Sequence, residues 1–109
     1  MNLGLAVSRA TLAGVADTAV LLDAAAALGV AARPIDWRAG GWGWADVVLL
    51  HTPWDYTEDP AAFARWLTSL PERTRVQNPY ELIAGNMHKS YLLDLADAGV
   101  PVPLSLIHI

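Results

Sequence analysis

The run His51-Thr52-Pro53-Trp54-Asp55-Tyr56-Thr57-Glu58-Asp59 gathers a hydroxyl, a carboxylate, a phenol and an indole within one short stretch. Thr52, Asp55 and Tyr56 can exchange hydrogen bonds with a polar ligand, and Trp54 can form a wall beside it. Ser8 and Arg9 follow the first apolar run and add a hydroxyl and a guanidinium. Ser8, His51 and Asp55 could make a Ser-His-Asp relay on paper, but no G-x-S-x-G elbow marks the nucleophile. His51, His88 and His108 never fall at the i, i+3 or i+4 spacing that puts two ligands on one helix face, so no zinc site is expected. The stretch Ala39-Gly40-Gly41-Trp42-Gly43-Trp44 lacks the G-x-G-x-x-G spacing of a dinucleotide loop. A plainer reading of the 51–59 run has Asp55 and Thr57 bonding within a turn, with Trp54 and Tyr56 packed beneath the next helix.

These residues need a scaffold. Residues 3–7, Leu-Gly-Leu-Ala-Val, form a short apolar run without helical period and are expected as a buried strand opening into a loop at Ser8. A first helix is expected from an Asp17 cap to Gly29, with Val20, Leu21, Ala24, Ala25 and Leu28 on its inner stripe. Residues 30–37 give a second strand, which Pro34 suits to an edge. Residues 46–52, Asp-Val-Val-Leu-Leu-His-Thr, read as a strand covered on both faces. A second helix is expected to start at an Asp59 cap with Pro60 in its first turn, turning Phe63, Trp66, Leu67 and Leu70 inward. A short strand at 75–78, a turn or short helix at 79–86, and a last helix over 89–99 with Tyr91, Leu92 and Leu95 inward complete the order. Gly99 and Pro101 stop that helix. Strands alternating with helices imply an α/β fold, a mostly parallel sheet with helices on both faces. Ligands of such sheets bind beyond the carboxyl ends of the strands, where the 51–59 run would lie.

Lys89 heads the last helix, where the positive end of the macrodipole disfavours a cation unless an anion is near. A phosphate would be such an anion, and a solvated lysine at a frayed helix start is the plain alternative.

Composition narrows the classes. With 109 residues, 54% apolar and 17% charged, the chain can build one core without staples. A net charge of -4 and the lack of a Lys/Arg cluster argue against a nucleic-acid partner. The chain has no cysteine, which fits a reducing, cytoplasmic setting. No apolar run reaches the roughly 18 residues of a membrane helix, and Asp23 interrupts the nearest approach, so no membrane partner is expected.

Taken together, Thr-Pro-Trp-Asp-Tyr at 52–56, Phe-Ala-Arg-Trp-Leu at 63–67, Gln-Asn-Pro at 77–79 and Gly-Asn-Met-His-Lys-Ser-Tyr-Leu-Leu running to Val-Pro-Val-Pro at 103 resemble the amino-terminal part of bacterial ATP-grasp proteins. The resemblance is to the glutathione-synthetase-like branch that includes a cycloserine cyclo-ligase. It implies that residues 1–103 are a Rossmann-like preATP-grasp domain, packed in the whole protein against two lobes that clamp ATP and Mg2+. By position, Lys89 would reach the ATP phosphates. Thr52, Trp54, Asp55 and Tyr56 would line the acceptor-substrate side, joined by Ser8 and Arg9. The implied partners are ATP and a small-molecule carboxylate or amine substrate, ligated through an acyl phosphate. Two departures stand out: Gly85 replaces the branch's usual Trp, and His88 replaces the Asp that commonly precedes the lysine.

The branch continues well past Gly-Val-Pro-Val-Pro, whereas this chain closes on Leu-Ser-Leu-Ile-His-Ile. Residues 104–109 match the translation of a transposase adapter used in sequencing-library preparation, and a non-native tail on a truncated, inactive fragment is expected. The competing expectation is a stand-alone flavodoxin-like binding or interaction module. A receiver of that class needs an acidic cluster after its first strand, where Ser8-Arg9 stands here.

Overall fold

A computed structural model describes residues 1–77, 82–83, 87 and 91–102. Lys89, Gly85, His88 and the 104–109 tail lie outside the described residues, as do Asn78 and most of 79–86. The chain divides into two compact units, 1–78 and 79–109.

The first unit runs β1 (Asn2–Val7), α1 (Ala16–Ala27), β2 (Ala31–Asp36), β3 (Val47–Thr52), α2 (Pro60–Ser69) and β4 (Arg75–Gln77), with single 3-10 turns at 9–11, 42–44 and 54–58. The four strands form one sheet in the order β2-β1-β3-β4. Every neighbouring pair is parallel. The α/β expectation therefore holds, and Pro34 lies on the edge strand β2, where its missing N–H costs no ladder bond.

Why helices take opposite faces follows from the period of two along β1. Leu3 and its partner Val47 line an apolar groove of about 320 Å3 beside Leu21 of α1 and Leu28, its C-cap residue. Gly4 points the other way, against Trp42, and Trp42 packs on Trp66 of α2 with ring centroids 4.9 Å apart and planes tilted by 59°. The central strand is the driest part of the unit: Leu5, Ala6 and Val7 are fully buried.

Gly4 is small because an indole lies on it. A Cβ there would stand 2.9 Å from Cζ3 of Trp42 and 3.3 Å from Cβ of Ala45. Trp42 is buried and packed against Trp66 of α2, which leaves little room for it to shift. Gly4→Ala is expected to cost about 1–3 kcal/mol of stability, as overpacked cores do. A urea midpoint unchanged from wild type would show that Trp42 yields.

α2 starts as its sequence suggests. Asp59 accepts a hydrogen bond from the Ala62 N–H at 3.0 Å, Pro60 occupies the first turn, and Phe63 and Leu67 are buried. α1 differs from expectation at both its cap and its face. Val15, not Asp17, is the N-cap residue, and Thr18 Oγ1 reaches back to accept from the Val15 N–H at 3.0 Å. Asp17 lies in the first turn, where a carboxylate still favours the helix dipole. Of the expected stripe, Ala25 is buried, while Val20 and Leu28 are 67% and 81% exposed. With apolar residues on every side, α1 has no polar face to set its rotation, and contact with the sheet decides it.

In the second unit, α3 spans Tyr91–Asp97. Gly99 takes φ of +90°, and Val100 N–H bonds to Leu95 O, so the helix ends as Gly99 predicts. Leu92 is buried, but Leu95, placed on the inner stripe by its spacing, is exposed. No helix among the described residues is long and apolar enough to cross a membrane.

Candidate functional site

β1 lies between β2 and β3, so the chain departs from its carboxyl end toward one side and returns on the other. That is the switch point where open parallel sheets leave a crevice. Ser8 ends β1, and Thr52 ends β3 beside it; the Ser8 N–H bonds to the Thr52 carbonyl at 2.9 Å. A register shift between Ala6 and Val7 brings Val7 opposite Thr52 rather than His51.

A closed polar network fills this point. Ser8 Oγ lies 3.0 Å from the Thr52 carbonyl and 2.9 Å from Asp55 Oδ1, either of which can accept its proton, and it accepts from the Asp55 N–H at 3.0 Å. Thr52 Oγ1 donates to Thr11 Oγ1 at 2.8 Å, and Thr11 Oγ1 also accepts from the Ser8 N–H. Thr11 Oγ1 in turn lies 3.1 Å from the carbonyls of both Ser8 and Thr52. Each buried hydroxyl is thus satisfied, the condition under which buried polar groups rigidify a site instead of weakening it.

Asp55 is the centre of this network. Its Oδ1 accepts from the Trp37 indole N–H at 2.7 Å, and Oδ2 faces the Arg38 guanidinium at 3.9 Å. Burial pushes its carboxyl up. The hydrogen bonds from Trp37 and Ser8, the Arg38 charge and the residue's own backbone N–H outweigh burial and hold it below the ordinary carboxylate range. It stays ionised at neutral pH as an anchor for the loop, with its lone pairs directed inward.

The sequence-derived residues separate into two layers. Ser8 and Thr52 are buried, and Asp55 is largely so. Tyr56 is half-buried, its ring 5.4 Å from that of Phe63. Trp54, which the plainer reading tucks beneath the helix, is 63% exposed, and Arg9 is exposed as well. Lys89 lies outside the described residues. His51 Nε2 sits 2.8 Å from Thr18 Oγ1 on α1, while Ser8 bonds Asp55 directly, so no Ser-His-Asp relay is assembled. Among the described residues, no group of three His, Cys, Asp or Glu side chains could hold a metal ion.

Thr11, Trp37 and Arg38 belong to the network and escaped the sequence reading. Trp37 follows β2, whose carboxyl end flanks that of β1; applying the strand-end rule to β2 as well as to β1 and β3 would have found it.

Residues 3–78 match the family model described as D-cycloserine synthetase DcsG, N-terminal domain. The chain belongs to this family. The DcsG N-terminal match is supported by a curated relative, the cycloserine biosynthesis protein DcsG of Streptomyces lavendulae, 34% identical over 88 residues. That alignment covers 79% of this chain and 29% of the relative. The crystal structure of D-cycloserine synthetase DcsG superposes with a TM-score of 0.83 at 32% identity, over 94% of this chain and 35% of that one. The chain thus spans about a third of the length of the DcsG proteins it matches. The Ser8–Asp55 network lies wholly within the segment matched by the DcsG N-terminal family.

Proposed function

We propose that residues 1–103 are the preATP-grasp domain of an ATP-dependent ligase that joins a carboxylate to an amine or thiol through an acyl phosphate. The observation that carries this reading is a fully bonded polar network at the switch point of a DcsG-type N-terminal domain. In the proposal, ATP and magnesium are held by lobes beyond this unit, and Lys89 contacts the ATP phosphates as a point charge. The domain supplies the acceptor-side wall. Arg9 and Trp54 are its exposed contact groups. Ser8, Thr52 and Asp55 act from beneath by fixing the loop, and Tyr56 braces it against Phe63. Alone, the chain is proposed to be inactive, because one lysine cannot supply the charge enclosure that phosphoryl transfer requires. A cytoplasmic location completes the reading.

The test is a chimera joining residues 1–103 to the remainder of the Streptomyces lavendulae DcsG, assayed for ADP release. ATP-dependent turnover is expected, and Lys89→Ala should lower it by about 100-fold, the scale of removing one charge-stabilising donor. A chimera that folds but releases no ADP would overturn the ligase reading. Unchanged turnover in Lys89→Ala would remove that residue from the site.

A further inference from the structure

Two arginines, Arg38 beside the Asp55 network and Arg65 on α2, share one groove. Between the residues that follow β2 and the flank of α2 lies an open groove of about 450 Å3, lined by Trp37, Arg38, Gly40, Ala62, Arg65 and Trp66 among others. Its chemistry is cationic and aromatic. The Arg38 guanidinium stacks over the Trp37 ring at 4.8 Å, which fixes the plane of the fork while leaving its edge available. Among the described residues its carboxylate neighbours, Asp55 and Glu58, form ion pairs at 3.9 Å and 3.7 Å, beyond hydrogen-bond length, so neither takes a hydrogen bond from the fork. Arg65, exposed on α2, makes no ion pair among the described residues. Trp66 lines the same groove, and its indole N–H is buried without an acceptor among the described residues.

We propose that this groove is an oxyanion site, taking the phosphate or carboxylate group of a small molecule between Arg38 and Arg65. A guanidinium fork matches the oxygen spacing of such groups and bonds them with charge-assisted hydrogen bonds, and Trp37 and Trp66 line the groove beside the two arginines. The site does not depend on the ligase reading, although it shares Arg38 with the Asp55 network. Glu58 competes with an anion for Arg38, being the nearer of its two carboxylate neighbours and 70% exposed. The proposal therefore predicts opposite effects at two exposed positions: loss of Arg65 weakens anion binding, and neutralisation of Glu58 tightens it.

The experiment is a titration of the intact chain with inorganic phosphate and, separately, with acetate, at constant ionic strength, followed by tryptophan fluorescence. A saturable change with at least one anion is expected, and which anion produces it identifies the group recognised. Arg65→Ala should weaken the midpoint by about 10-fold or more, Glu58→Gln should tighten it by about 2- to 3-fold, and Arg75→Ala, on β4 outside the groove, should leave it in place. Circular dichroism on each variant confirms that the fold is kept. No saturable response to either anion, or the same midpoint in Arg65→Ala as in wild type, would overturn the proposal.

Discussion

Asp55→Ala is expected to destabilise the first unit by about 3 kcal/mol. The substitution removes the acceptor of the Trp37 indole N–H and the carboxylate facing Arg38, leaving a buried donor unpaired. Asp55→Asn keeps an acceptor oxygen for Trp37 and Ser8 and should cost about 1 kcal/mol, so the difference between the two reports the loss of that shared acceptor. The pH dependence has a definite sign. Because the folded-state carboxyl is held low, its contribution is present above the unfolded value near 4 and is lost as pH falls through the folded value. Urea midpoints measured from neutral to acid pH should fall in the wild type and fall less steeply in Asp55→Asn. Parallel curves would show that the carboxylate gains nothing from its partners.

Phe63→Ala should cost more, about 4 kcal/mol, a large share of the stability of a domain this size. Phe63 is 2% exposed and is the meeting point of three rings: Trp37 edge-on at 5.0 Å, Tyr56 at 5.4 Å and Trp66 at 5.4 Å. Removing it opens a cavity that touches both the Trp37 donor and the Tyr56 brace of the site loop. Beyond a lower urea midpoint, the variant should therefore show an altered Trp37 indole N–H resonance under native conditions. Loss of stability with that resonance unmoved would mean that Phe63 packs the core without steadying the loop.

The parts of this fold legible in the sequence are those with local causes. Residues 3–7 and 47–50 are apolar runs that suit buried parallel strands, and Asp59-Pro60 marks the start of α2 by capping chemistry alone. The orientation of α1 was not legible, because Ala16–Ala27 has apolar residues on every side. Thr18, which spacing left out, is buried at 4% exposure because its hydroxyl bonds both His51 and the Val15 N–H.

For the site, composition located the loop but not how it is held. The turn chemistry expected of Asp55 is local, whereas its partners come from Ser8, 47 residues earlier, and from Trp37 on another strand end. Such contacts depend on strand order, which no window of sequence contains. The exposure of Trp54 likewise reflects Asp55 being drawn inward: the carboxylate turns to the network, and the neighbouring indole is left outside.

That exposed indole gives the central claim its most direct test. If this unit is the acceptor-side wall of a ligase, Trp54→Ala in the chimera with the Streptomyces lavendulae relative should raise KM for the acceptor by about 10-fold and leave KM for ATP unchanged. The contrary result is a KM for ATP that rises while that for the acceptor holds, or no change in either, and it would remove the switch-point loop from the acceptor site.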